Sequence, residues 1–83
     1  MNDTRRKQLH KAVELLEAAQ LIIGRVQEQE QEAHDNIPDN LQETELAEDI
    51  QENADDLQES YDDLDNVLES LCSLYDRALP VQL

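Results

Sequence analysis

Residues 43–79 read ETELAEDIQENADDLQESYDDLDNVLESLCSLYDRAL. Within this stretch Ala47, Ile50, Ala54, Leu57, Tyr61, Leu64, Leu68, Leu71, Tyr75 and Ala78 follow one another at alternating steps of three and four. Such steps put all of them on one side of an α-helix, in the seam of a heptad repeat. Between the seam positions the chain is mostly acid. From Glu43 to Asp65 there are eleven Asp or Glu and no Lys or Arg. The stretch predicts a long helix over about 43–79, with an apolar stripe and a strongly negative outer face.

Upstream, Asn2 or Asp3 supplies cap chemistry for a first helix over about 3–35. Its seam reads Leu9, Ala12, Leu16, Ala19, Ile23, Val26 and Ala33, with Glu30 filling one seam position. Val13, Leu15 and Ile22 form a second apolar edge. Gly24 lies inside the helical pattern at a cost of about 1 kcal/mol relative to Ala. It reflects either plain tolerance of a small residue or the close approach of another helix.

The periodic pattern breaks once, at Asp35-Asn36-Ile37-Pro38-Asp39-Asn40-Leu41-Gln42. Pro38 lacks an amide proton and biases Ile37 away from helix. Residues 36–42 are therefore a hinge, with Ile37 and Leu41 expected to fold back over the open end of the seam. A connection this short makes the helices antiparallel neighbours. Pro80 is expected to stop the second helix. The predicted fold class is all-α: a single domain, residues 1–83, forming an antiparallel, coiled-coil-like two-helix hairpin.

A hairpin of this size buries too little to be very stable alone. At the terminal end, Val13, Leu15 and Ile22 on one helix and Val67, Leu74 and Leu79 on the other offer more apolar surface than one stripe per helix requires. Homodimerisation into a four-helix bundle is the most economical use of it. The expected dimer interface is Val13, Leu15, Ile22, Val67, Leu71 and Leu74.

Net charge is −15, and four of the six Lys and Arg fall between Arg5 and Lys11. No Lys or Arg lies between Arg25 and Arg77, whereas Glu28 to Asp76 contains eighteen acids. Direct binding of nucleic acid or of an anionic membrane is not expected. A basic protein surface is the natural counterpart, including a groove that normally holds nucleic acid. The acids expected to meet it are Glu45, Glu48, Asp49, Glu52, Asp55, Asp56, Glu59, Asp62 and Asp63. Like charges at i,i+4, such as Glu48/Glu52 and Asp55/Glu59, destabilise a helix. Solubility alone does not require them, although a solvated helix face is what most charge runs are.

Metal and catalytic chemistry are not expected. His10 and His34 fall at opposite ends of the hairpin, so they do not converge on a di-iron set. Asp62, Asp63 and Asp65 lack the glycine turn of a calcium loop. Ser70 and Ser73 have no His nearby in sequence, and there is no glycine-rich phosphate loop. No cofactor is implied. The single Cys72 excludes an intramolecular disulfide, fits a reducing compartment, and is expected to pack at an interface. With no apolar run long enough to span a membrane and no signal-peptide pattern, a cytoplasmic protein is expected.

The hinge EQEAHDNIPDNLQ, Glu30 to Gln42, is followed by the repeat Ala47-Glu48, Ala54-Asp55-Asp56-Leu57 and Tyr61-Asp62-Asp63-Leu64. Together with the basic start, this resembles a group of short proteins carried by bacteriophages and prophages, over roughly residues 5–71. The chain departs from that pattern at His34, where an aromatic is expected, and at Asp39-Asn40, where Glu-Ser is expected. The resemblance implies a phage context, host-cell cytoplasm and a helical hairpin, and it carries no activity onto any residue. The expected function is a small inhibitor that binds a host protein through its acidic face. The alternative is a dimeric adaptor that docks a partner through its apolar helix edge.

Overall fold

The computed structural model describes the backbone of residues 2–78 and the side chains of residues 2–74. The side chains of Tyr75 and Ala78, the extra apolar Leu79, the stop at Pro80 and the tail 81–83 lie outside the described residues. Helix α1 spans Asp3–Asp35 and helix α2 spans Glu45–Ala78. The two run antiparallel: Gln20 meets Asp65, Gly24 meets Tyr61, and Gln31 meets Gln51. The hairpin is 64 Å long.

Each helix end has a local cause. Asn2 Oδ1 accepts from the Arg5 backbone N–H at 2.8 Å, occupying one of the free donors at the start of α1. At the other end, the Asn36 N–H still reaches the Glu32 carbonyl at 2.9 Å, but Pro38 has no proton to continue the ladder. A single 3-10 turn, Asp39–Leu41, carries the chain across. Gln42 then closes the hinge, its Nε2 donating to the Ile37 carbonyl at 2.7 Å and the His34 carbonyl at 3.1 Å. Thr44 caps α2: its hydroxyl donates to the Leu41 carbonyl at 2.7 Å and accepts from the Ala47 N–H at 3.3 Å. Helix α2 therefore begins at Glu45 rather than at 43. Leu41 does not cover the seam as expected; it is 45% exposed, and the Gln42 amide closes that end instead.

The seam of α2 contains Ala47, Ala54 and Leu68 as buried residues, with Ile50, Leu57, Tyr61, Leu64 and Leu71 half-buried between them. Of the expected α1 seam, Leu9, Ala12, Leu16, Ala19, Ile23 and Glu30 are half-buried, but the line that meets α2 follows a slightly different path. It passes through Leu9, Val13, Leu16, Gln20, Gly24, Gln27, Gln31 and His34, all buried or half-buried. These steps average about 3.6 residues, the natural repeat of a straight helix. A reading that follows apolar residues alone drifts off this line, and so Val26 and Ala33 prove exposed. Val13, expected on an outer edge, is instead the most buried side chain of α1, at 7% exposure.

Two of the polar seam residues, Gln20 and Gln31, bond across to α2. Gln20 Nε2 donates to the Tyr61 carbonyl at 3.2 Å. Gln31 and Gln51 exchange amide hydrogen bonds at 3.2 and 3.3 Å. Gly24 marks a close approach: a Cβ there would stand 3.1 Å from Tyr61 Cε2. The ring takes the space that a side chain at 24 would fill. Beside it is a notch of about 240 Å³ lined by residues that include Leu21, Glu28 and Gln58.

Candidate interaction surfaces

The seam of α2 divides its surface by a simple rule. Ala47, Ala54, Tyr61 and Leu68 are each followed by an acid: Glu48, Asp55, Asp62 and Glu69. Each is preceded by an uncharged residue: Leu46, Asn53, Ser60 and Val67. One residue turns a helix by about 100°, so the two sets fall on opposite sides of the seam. All eight are exposed.

The nine acids Glu45, Glu48, Asp49, Glu52, Asp55, Asp56, Glu59, Asp62 and Asp63 are likewise all exposed. At 3.6 residues per turn they occupy an arc of roughly 140°, opposite the seam. Their hydrogen bonds are local to the helix, from Gln51 to Asp55 at 2.9 Å and from Gln58 to Asp62 at 3.1 Å. The ion pairs of the described residues lie elsewhere, at Arg6–Asp3, Lys11–Glu14, and the His10–Glu14 and His34–Asp35 contacts. Glu45 and Glu48 stand in the first turn of α2, where negative charge also favours the helix dipole. Farther along, crowded acids have no such benefit and repel one another.

Asp35, at the end of α1, titrates below the usual aspartate range. Gln31 Nε2 donates to its Oδ1 at 3.1 Å and is the main cause, with the His34 ring at 3.3 Å adding to it. This is local hinge chemistry, remote from the arc on α2.

On α1, Gln8 and Leu15 precede the seam residues Leu9 and Leu16, whereas Ile22 and Gln29 lie midway between the seam neighbours Gln20 and Gly24 and Gln27 and Gln31, on the far side of the helix from α2. An antiparallel pair has a local two-fold axis perpendicular to both helices, so flanks of the same sense share one broad face. The groove lined by Glu30, Asn53, Asp56, Leu57 and Ser60 lies on that side. Leu15 and Ile22 are 60% and 58% exposed, and Val67 and Leu74 are 45% and 39% exposed. Of the residues expected at a dimer interface, these four are exposed. Leu71 is half-buried in the seam, and Val13 is spent inside the hairpin.

Cys72 is exposed. Among the described residues, no three of His, Cys, Asp and Glu gather in a way that could hold a metal ion, and no helix is long and apolar enough to cross a membrane. No family model, curated protein or solved structure matches the chain.

Proposed function

We propose that this chain is a protein-binding module that engages a basic partner through the outward arc of α2. In the phage setting that its hinge and repeat suggest, it is an inhibitor of a host protein in the host cytoplasm, acting without cofactor or catalysis. The supporting observation is the arc itself: nine exposed acids on one side of one helix, with no cation of the chain paired to them among the described residues. Duplex DNA carries one charge per about 1.7 Å of axis, and a helix with two acids per turn offers comparable density on one side. A groove that normally holds nucleic acid is therefore the partner surface best matched to it. On this reading the protein acts as a dimer, two hairpins joined as a four-helix bundle, with both acidic arcs left outward.

The experiment is charge reversal. Glu48, Glu52, Asp55, Glu59 and Asp62 are replaced by Lys in pairs, and binding to partners recovered from host lysate is measured at low and high salt. Lys has a helix propensity similar to Glu and better than Asp, so circular dichroism should show helix retained. Binding should fall and lose its salt dependence. A second reading rests on the exposure of Leu15, Ile22, Val67 and Leu74. If the module is an adaptor that docks a partner helix on that edge, the Lys variants bind normally and Val67→Glu abolishes binding.

A further inference from the structure

We propose that the Gln31–Gln51 amide pair couples the acidic arc of α2 to the hinge: the Asp55 carboxylate orients the pair, and through it the bond that Gln31 makes to Asp35. A cation that takes up Asp55 is then felt at the end of α1. That consequence rests on the reading of the arc as the partner surface; the coupling itself rests on the hydrogen bonds.

Asp35 is remote from the arc, yet one unbroken line of hydrogen bonds reaches it. Asp55 Oδ1 accepts from Gln51 Nε2 at 2.9 Å. Gln31 and Gln51 then exchange bonds between the helices, each Nε2 donating to the other's Oε1, at 3.2 and 3.3 Å. Gln31 Nε2 also donates to Asp35 Oδ1 at 3.1 Å. The His34 ring stands 3.3 Å from that same oxygen. The line thus runs from an exposed acid of α2, through two half-buried amides, to an exposed acid of α1.

The count of donors makes the line a unit. A primary amide has two N–H donors on its nitrogen and an oxygen that only accepts. Each Nε2 gives one donor to a carboxylate and the other to the opposite amide. An ionised carboxylate only accepts, so it fixes which way the amide beside it faces. Turning over either amide would set oxygen against oxygen at both of its neighbours. Bonds in such a chain polarise one another, so weakening one weakens the next.

Other acids of the arc have no such route. Gln58 Nε2 donates to Asp62 at 3.1 Å, but among the described residues the Gln58 amide has no bond to α1. Asp56, next to Asp55 in sequence, accepts from neither amide of the pair.

Asp35 reports the coupling, and the sign decides it. Removing a nearby negative charge, by itself, favours the Asp35 carboxylate and lowers its midpoint or leaves it in place. Removing the acceptor that orients Gln51 weakens the Gln31 bond to Asp35, which favours the protonated form and raises the midpoint. Asp55→Ala and Asp56→Ala are compared by carbon-detected NMR titration of Asp35 at one fixed ionic strength. His34 is kept in every variant, and circular dichroism confirms that each is helical. The expected result is a rise of roughly a few tenths of a pH unit in Asp55→Ala and none in Asp56→Ala. Gln51→Leu cuts the line in the middle: it should raise the midpoint by itself and abolish any further rise on adding Asp55→Ala. A midpoint that falls or stays in Asp55→Ala, or that rises equally in Asp56→Ala, overturns the coupling. These measurements use the protein alone, so they fail or succeed independently of the partner reading. A rise at Asp35 together with normal partner binding by the Lys variants would remove that reading and leave the coupling standing.

Discussion

The ring of Tyr61 lies against the backbone of α1 at Gly24, so that a methyl group on Gly24 would stand 3.1 Å from Cε2 and 3.4 Å from Cδ2. Two effects then oppose each other in Gly24→Ala. Helix propensity favours Ala by about 1 kcal/mol. Crowding against the ring takes some of that back, although Tyr61 is only half-buried and borders an open notch, so it can slide by a few tenths of an ångström. The expected net change is within about 0.5 kcal/mol, whereas Gly24→Val should destabilise by roughly 1–3 kcal/mol through overpacking. In a Tyr61→Ala background, Gly24→Ala should show its full gain of about 1 kcal/mol. Urea denaturation of the four proteins at one fixed concentration measures the coupling, and strict additivity would contradict the contact.

Two side chains, Gln42 and Thr44, bind the hinge. Gln42→Ala removes hydrogen bonds to the Ile37 carbonyl and to the His34 carbonyl, the latter also accepting from the Ile37 N–H at 3.1 Å. The expected loss is about 1–2 kcal/mol. Thr44→Ala removes the cap of α2 and should cost about 1 kcal/mol. Thermal melts should show both; unchanged melting temperatures would mean that the hinge is held by something other than these bonds.

Burial in the seam separates residues of similar chemistry. Val13→Ala should cost roughly 1.5 kcal/mol, at about 0.8 kcal/mol per buried methylene-sized group. Leu21→Ala, at a side chain 62% exposed, should stay within about 0.5 kcal/mol. Ala54 has no exposed surface, and Ala54→Leu should destabilise by about 1–3 kcal/mol because the facing helix must move away. Chemical denaturation giving equal effects at positions 13 and 21 would contradict the observed seam.

Asp35 should titrate below the usual aspartate range in a carbon-detected NMR titration. Gln31→Leu should raise its midpoint more than His34→Ala does, since the Gln31 hydrogen bond is the larger cause. A carboxyl with a lowered folded-state pKa binds protons less readily folded than unfolded. Its stabilisation is present above the unfolded value and is lost as pH falls through the folded one. Salt bridging and bonding at the end of α1 should therefore weaken only in strong acid. A midpoint unmoved by either substitution would contradict the assignment.

The helical architecture was readable because α2 repeats without a slip and its seam is apolar throughout. The seam of α1 was not fully readable, and the reason is chemical. Gln20, Gln27 and Gln31 occupy it, and hydropathy ranks them with the solvent-facing residues. Their amides are satisfied across the interface at Tyr61 and Gln51 for Gln20 and Gln31, which no apolar period registers. A signal was present in the spacing of Gln20, Gln27, Gln31 and His34, which continues the steps of Leu9, Val13 and Leu16. Thr44 was missed as a cap because Glu43 already fitted the acidic pattern of the helix. The acid arc was legible as a set, since nine charges at those positions can hardly do other than face outward once Ala47, Ala54 and Leu68 face in. The relation between the arc and the uncharged flank required knowing which neighbour of each seam residue lies on which side.

A seam that repeats every seven residues could, by periodicity alone, slide by one repeat and still bury apolar groups. The Gly24–Tyr61 and Gln31–Gln51 pairs act together as a vernier against that slide. Shifted one repeat one way, Gln31 finds another amide at Gln58, but the Tyr61 ring leaves the glycine and meets a full side chain. Shifted the other way, Gln31 faces Thr44 at the cap of α2 and its amide loses its reciprocal partner. A polar pair in a seam lowers stability relative to an apolar one and raises the cost of every misalignment more. The hinge length brings the helices together, and these two unlike pairs, seven residues apart on α1, set where they stop.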